Sequence, residues 1–522
     1  MAMAALLVSA FSPSFYTVPF AFALIVTLIL TLLKLHVWSK QQSKNPKVPP
    51  GPWPLPLFGS LHLLSRDAIP YRAFLKIATR FQSDIIQLTL GSTNCVVVNR
   101  FDHMKDVLLC RSTAFGGRPN FLRYHVLFGG NRDNSLALCD WSHLQKTRRG
   151  IVNNFTHPKP SSDMYDNLRH VIASETDAFV DELKRTAGKP TKPKIPLLVT
   201  CANIFTHYMC SKRFSYKDEG FVQMVKDFDC IFYDINQGYA VDFMPWLAPF
   251  YQQHFSSLQR WSKRIRSFMM AEVIADHEEL LDANAPKDFV DILLLHLKDE
   301  NEKVLDWNAA LYELEDMIGG HSALGNLWMR IAALLIQNPE CQRGIHEEID
   351  RVTEGNSRAV TLDDKGDMPY TVATMMETLR HISSPIVPHV ATEDTELAGY
   401  FIQKDTVIFL NNYVLNTSPD LWTNPDKFDP SRFVRDGQFV KPEYFIPFST
   451  GKRACMGHQL VQTVIFMLVA RICQEFTLSV PPLDKSIENL QPACLALPTE
   501  TFCISFTPRK TQTPTSNDEK KY

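Results

Sequence analysis

The sequence carries almost no charge surplus of either sign. Its 54 Lys and Arg are matched by 56 Asp and Glu, so no global field favours a nucleic acid, and a charged partner must be met by a local patch. No C-x-x-C pair occurs among its 11 cysteines. An odd count without paired spacing argues against zinc and against a disulfide framework, and fits a reducing compartment with one thiol committed elsewhere. Charge is absent altogether from Met1 to Leu33. Phe15 to Leu33 gives about 19 mostly apolar positions, enough for a helix across roughly 30 Å of hydrocarbon. A cleaved signal would open with a basic region before a shorter apolar core. Lys34, Lys40, Lys44 and Lys47 follow the run instead, which by the positive-inside rule keeps the rest of the chain cytosolic. Asn154-Phe-Thr156 then stays unglycosylated.

Pro49-Pro50-Gly51-Pro52-Trp53-Pro54-Leu-Pro56 is too dense in proline for helix or sheet and reads as an extended connector. Ile85 to Leu90 and Cys95 to Asn99, divided by Gly91-Ser-Thr-Asn94, read as a hairpin. Helical periodicity dominates beyond it. Gly188 to Pro196 reads as a loop, and Asp405 to Phe409 and Asn411 to Leu415 as strands of a small sheet.

The stretch most specific in chemistry lies near the end: Phe448-Ser-Thr-Gly451-Lys-Arg453-Ala-Cys455-Met-Gly457, followed by the apolar run Leu460 to Ile472. A cysteine in a loop that opens into a helix meets backbone N–H groups and the positive helix end, which favour the thiolate that binds metal. Cys455 is the expected ligand of a haem iron. Gly451 permits a tight turn, Gly457 lets the helix start lie against a flat porphyrin, and Phe448 shields the sulfur. Arg453 pairs with a propionate. Covalent attachment is excluded, because Cys455-Met-Gly-His458 offers one thiol where C-x-x-C-H needs two.

These five positions resemble the haem loop of the cytochrome P-450 family. The resemblance implies a mainly α fold with small β-sheets (α+β), preceded here by an N-terminal transmembrane helix. The expected division is a membrane anchor at 1–40, a basic and Pro-rich hinge at 41–60, a haem-thiolate catalytic domain at 61–506 and a disordered tail at 507–522. It further implies haem b with Cys455 as axial thiolate, and propionate contacts from Trp141 and His389. Four residues after Trp141, where the family places Arg, this chain has Gln145. Lys146, Arg148, Arg149 and Lys452 offer a basic proximal face for an acidic electron donor, or an ordinary solvated helix face. Glu377 and Arg380, one helical turn apart, with Arg432, resemble the family's buried Glu-Arg-Arg triad.

Asp306 is the expected N-cap of a long helix running to Leu335 before Asn338-Pro339. The adjacent Gly319 and Gly320 each cost about 1 kcal/mol relative to Ala in a helix interior, so a close approach is expected there. In the family the approaching group is haem with its bound oxygen. The family's acid and Thr are missing: the aligned residues are Ser322 and Ala323. Gly320, His321 and Ser322 become the expected catalytic positions, with an ordered water held by Ser322, His321 or a freed carbonyl as the proton relay. The hydrolase elbow G-x-S-x-G is excluded, since position 324 is Leu and the serine lies within a helix.

Leu88-Thr-Leu-Gly91-Ser-Thr, Phe115-Gly-Gly-Arg118-Pro, Leu127-Phe-Gly-Gly-Asn131-Arg and Gly319-Gly-His-Ser322-Ala narrow the resemblance to the spook/spookier group of insect P-450s. That group implies an early step of ecdysteroid (moulting hormone) synthesis on a sterol. The expected protein is a single-pass endoplasmic reticulum monooxygenase with a cytosolic catalytic domain. Its partners are NADPH-cytochrome P-450 reductase, the lipid bilayer and a sterol, with no nucleic acid. An oxygen-independent haem isomerase or dehydratase and a haem-based sterol or gas-binding regulator are the alternatives. The reduced protein under carbon monoxide is expected to show the red-shifted band of sulfur-ligated haem, and Cys455→Ala to lose it; a folded parent protein without that band overturns the assignment of Cys455.

Overall fold

In the computed structural model the described residues are 47–64, 69–298, 305–481 and 484–509, with Val26, Ile29, Leu32 and Leu33 of the first apolar run. The expected anchor, apart from those four, and the chain beyond 509 lie outside them. Among the described residues no helix is long and apolar enough to cross a membrane.

Helices carry the architecture: α1 Pro70–Phe81, α2 His143–Thr156, α3 Asp163–Lys184, α4 Lys194–Cys210, α5 Glu219–Ile235, α6 Gln252–Met269, α7 Trp307–Gln337, α8 Pro339–Val352, α9 Pro369–Ile382 and α10 His458–Glu475. α7 is the axis of the fold. At 1.5 Å per residue its 31 residues span about 46 Å. Asp306 caps it as expected, its carboxylate accepting from Ala309 N at 2.7 Å, and α4, α5, α8, α9 and α10 all pack on it.

A mixed sheet forms the other side. Strands β1 Ile85–Leu90, β2 Thr93–Val98, β3 His389–Val390 and β4 Val407–Leu410 are ordered β1-β2-β4-β3, with β2 and β4 parallel. The β1–β2 hairpin turns on Gly91, at φ 57°, so β2 begins two residues earlier than the sequence suggests. β5 Phe476–Ser479 and β6 Ser505–Pro508 pair antiparallel.

Several boundaries differ from the sequence expectation. Asn412–Thr417 is a helix, not a strand. Asn411 Nδ2 donates to Asn99 Oδ1 and Asn412 Nδ2 to the Ser384 carbonyl, and these anchors turn the chain out of the sheet. α4 begins inside the expected loop, at Lys194, and Pro196 is tolerated because N–H groups of a first turn have no intrahelical partner. The hinge does not stand free: Gln87 N donates to the Pro50 carbonyl at 2.9 Å, and Gly59 bridges Leu90. Thr507 and Pro508, expected in a disordered tail, continue β6 instead.

Buried charge joins the layers. Arg148 on α2 pairs with Glu313 on α7 at 3.0 Å, both sealed from water. That removes Arg148 from the expected basic face, leaving Lys146 and Lys452 exposed. Lys194 on α4 meets Asp229 on α5 at 2.7 Å, and Asn326 on α7 donates to the same carboxylate at 2.9 Å.

Burial pushes Glu313 up to about 7, against the opposing pull of Arg148, and Glu315 likewise to about 7 against Arg266. A carboxyl whose folded value exceeds its unfolded value binds its proton more tightly when folded, so its contribution weakens as pH rises from about 4.5 to 7. Urea midpoints are expected to fall between pH 5 and pH 8, and Glu313→Gln or Glu315→Gln to flatten that fall; an unchanged slope refutes the assignment.

Candidate functional site

The Cys455 loop is held by its own backbone. Cys455 N donates to the Phe448 carbonyl at 2.9 Å, closing the loop around a 3-10 turn over Gly451–Arg453. Gly451 sits at φ 74°, and a Cβ there would lie 2.1 Å from the Leu108 carbonyl oxygen, so both backbone and space demand glycine. Gly457 begins α10, its carbonyl accepting from Val461 N. The Cys455 side chain is accessible although it lies deep among protein atoms. Burial pushes that thiol up, while a hydrogen bond from Gly457 and the nearby Arg149 guanidinium act in the opposite direction. Arg149 also donates through Nη2 to the Ala454 carbonyl. Its helix was legible from the sequence; this contact, 305 residues distant in the chain, was not.

Unpaired nitrogens lie beside this loop. Arg453, buried, donates through Nε and Nη2 to the Gly116 carbonyl and through Nη2 to the Cys139 carbonyl. Its Nη1 is buried without a partner among the described residues. His389 Nδ1 donates to the Phe115 carbonyl at 2.8 Å, and its Nε2 is likewise unpaired. Burial, then the charge of Arg118, pushes His389 down to about 3, so the ring is neutral unless an anion meets Nε2. Unpaired buried polar atoms are costly unless a ligand completes them. Two such groups, with an accessible thiol, fit a flat group bearing carboxylates and a metal that takes sulfur: the residues present fit haem. Trp141 stacks under Arg453 and Lys452, at 5.7 and 5.6 Å. Gln145 is turned away, its amide donating to the Leu136 carbonyl. Arg118, quoted above only within a motif, donates to the carbonyls of Val387 and Pro388 just before His389.

α7 is buried along its middle except at Asp316, Gly319, Gly320 and Ala323. That spacing is one stripe of a helix, and it opens where the rest of α7 is sealed. His321 and Ser322 are not on it. Both are buried, with His321 Nδ1 on the Ile318 carbonyl at 2.6 Å and its Nε2 3.4 Å from Ser322 Oγ. Burial pushes His321 down to about 4. The structure therefore brings Gly320 to the open stripe and leaves His321 and Ser322 inside the packing. A Cβ at Gly319 would come within 3.1 Å of the Phe228 ring, and one at Gly320 within 3.3 Å of Phe205, so two aromatic rings from α5 and α4 also approach the glycine pair closely. Asp316 was missed. Its Oδ2 accepts from Ser135 Oγ at 2.9 Å and Leu136 N at 2.6 Å, and burial raises its pKa.

Glu377, Arg380 and Arg432 are brought together. Arg380 forms a two-point contact with Glu377 at 2.7 and 2.8 Å, and Arg432 Nε reaches Glu377 Oε1 at 3.1 Å. Asp429 N adds a fourth donor to the same carboxylate at 2.9 Å.

The family model described as Cytochrome P450 matches residues 49–506. The chain is similar to Cytochrome P450 307a1 of Drosophila melanogaster, 42% identical over 489 residues that cover 88% of this chain and 89% of that one. It is 30% identical over 489 residues to Cytochrome P450 2U1 of Rattus norvegicus, covering 87% and 89%. Farnesoate epoxidase of Bombyx mori is 30% identical over 478 residues, covering 89% and 94%.

Removing Arg380 would leave Glu377 buried with Arg432 as its one remaining cation and the Asp429 N–H as its other donor, a loss of about 3–5 kcal/mol for a broken buried pair. Arg380→Ala is expected to yield little haem-loaded protein by absorbance per mole of chain; a normal haem ratio overturns the triad's role.

Proposed function

Because this chain belongs to the cytochrome P450 family of monooxygenases, whose haem is held by a cysteine thiolate, we propose that it oxidises a sterol at an early step of ecdysteroid synthesis while anchored in the endoplasmic reticulum membrane. The observation that carries the site is the accessible Cys455 thiol deep in the fold. Haem bound there would supply oxygen activation, tuned by the electron density of the Cys455 thiolate. Cys455 is the ligand, and Phe448 and Gly457 frame the sulfur. Arg453 Nη1 and His389 Nε2 would hold the propionates, with Trp141 packed beneath Arg453. A propionate at His389 requires the imidazolium, and the anion itself offsets the cost of that charge.

The sterol reading rests on the sequence segments shared with the spook/spookier group and on the 42% identity to Cytochrome P450 307a1. Membrane attachment is supported by the uncharged run from Met1 to Leu33. Exposed Trp53, Leu57, Phe58, Trp246 and Phe250 add apolar surface suited to a bilayer. An NADPH-cytochrome P-450 reductase is the electron donor this reading requires, and Lys146 and Lys452 lie exposed for an acidic partner.

Proton supply falls to α7. With Ala323 apolar and Ser322 sealed, Asp316 is the ionisable side chain on the open stripe. Its raised pKa suits a group that holds a proton at Oδ1 and releases it to an ordered water. Asn at 316 can still accept from Ser135 and Leu136 but cannot give up a proton. Reductase-supplied protein incubated with 7-dehydrocholesterol and related sterols, followed by product mass analysis, tests the substrate class; absence of any oxidised sterol overturns it. Asp316→Asn is expected to keep sterol-induced spectral change while product per NADPH falls about tenfold or more, and unchanged coupling removes Asp316 from the relay.

A further inference from the structure

A buried polar seam runs where α2, the turn over residues 133–137 and α7 meet. Arg148 of α2 donates through Nε to Glu313 Oε2 at 3.0 Å and through its other nitrogens to the carbonyls of Asp133, Asn134 and Ala309. One helical turn earlier, the Gln145 amide donates to the Leu136 carbonyl. The N–H of Leu136 in turn reaches Asp316 Oδ2, as does Ser135 Oγ. Gln145 and Arg148 on one helix thus meet Glu313 and Asp316 on the other across a single turn of chain, each pair sharing one side of its helix.

Two oxygens in this seam are left over. Glu313 Oε1 and Gln145 Oε1 are buried without a partner among the described residues, and the side chains that carry them are sealed, at 0% and 1% exposure. Both are acceptors, so each needs a proton or a water to satisfy it. A water donating to both would complete them. Burial pushes Glu313 up to about 7, against the pull of Arg148 from α2 and with the charge of Asp316, on its own helix, adding to the rise. An Arg at position 145 would bring a second cation to the seam and draw the proton off. Gln145 brings none.

Glu313 and Asp316 differ in access. Asp316 lies on the open stripe of α7 while Glu313 is sealed, so a proton leaving the seam toward that stripe must leave from Asp316. Its replacement comes from behind. Asp133 and Ala137, exposed, bring solvent to the far side of the same turn.

We propose that Glu313 is the proton store behind Asp316: a water shared by Glu313 Oε1 and Gln145 Oε1 passes a proton from Glu313 to Asp316 Oδ1 after Asp316 has given one up. The O–H bond of Glu313 breaks as that of Asp316 forms, Arg148 holds the carboxylate that remains, and solvent entering past Asp133 and Ala137 restores its proton. Glu313 reaches the reacting atoms only through Asp316, so it is a positioning residue. The inference rests on the relay proposed for Asp316 and not on the identity of the substrate.

The test uses the full-length haem-loaded protein with reductase. The infrared spectrum of the reduced carbon monoxide complex, recorded from pH 6 to pH 8, is expected to hold a carboxylic acid C=O band that titrates at about 7 and is missing from Glu313→Gln. Product per NADPH is expected to fall about tenfold over that range, as the protonated fraction of a group near 7 does. Glu313→Gln, which can still accept from Arg148, is expected to stay level at the value the parent protein has at pH 8. Glu315→Gln, whose carboxyl faces Arg266 instead, is expected to keep the parent's slope. In the Asp316→Asn background Glu313→Gln is expected to add no further loss; a further loss marks a structural role and overturns the inference. So does a titrating band that survives Glu313→Gln, or an unchanged slope in that variant. Should Glu313→Gln lack a normal carbon monoxide band, Gln145→Arg decides, because it keeps both carboxyls: the fall is expected to move about one unit lower in pH, and an unmoved fall overturns the inference. Loss of coupling in Asp316→Asn with an unchanged slope in Glu313→Gln sinks the store and leaves the relay standing. Absence of any oxidised sterol sinks the substrate class alone, and the infrared titration, which needs no substrate, then decides.

Discussion

A thiol this deep resists ionisation, because burial penalises the anion. Much of the surrounding structure acts against that penalty. The loop closed by Cys455 N on Phe448 presents Gly457 N–H to the sulfur, and Arg149 places a cation beside it while bonding the neighbouring carbonyl. Arg149 itself is held low by burial and by Arg453, to about 10, so a guanidinium stays charged there even under strain from its neighbours. The positive charge around the sulfur is thus built from side chains that already serve the backbone.

The same economy governs the distal helix. α7 must be sealed to hold the fold and open to admit chemistry. It meets both demands by confining accessibility to Asp316, Gly319, Gly320 and Ala323, one face in an otherwise buried rod. Rings from α4 and α5 stand close to the glycine pair, and the buried pairs Arg148–Glu313 and Lys194–Asp229 fix α2, α4 and α5 against or near α7. Buried ion pairs add little net stability against apolar replacements, yet they punish any shift that separates them. They suit a fold in which helices must keep their register around a cofactor.

The proximal loop follows one rule: a polar group left unpaired inside a protein marks what the protein meets there. Arg453 Nη1 and His389 Nε2 point to carboxylates.

The haem loop, the Asp306 cap and the Glu377–Arg380 pair were legible in the chain because each depends on residues within about ten positions, where backbone geometry alone fixes the relation. The β1–β2 hairpin was legible for the same reason. What the chain could not declare were contacts made across hundreds of residues. Arg148 looked like a surface cation until Glu313, 165 residues away, met it in the core. Gly319 and Gly320 marked a close approach correctly, yet Phe228 and Phe205 could be named only once α5 and α4 were packed. Ser322 took its place by alignment, but the rotation of α7 set it against His321 and gave the open face to Asp316. Local spacing thus determined which chemistry the chain carries. Helix rotation and the pairing of distant buried charges, both decided by packing, determined which side chains can perform it.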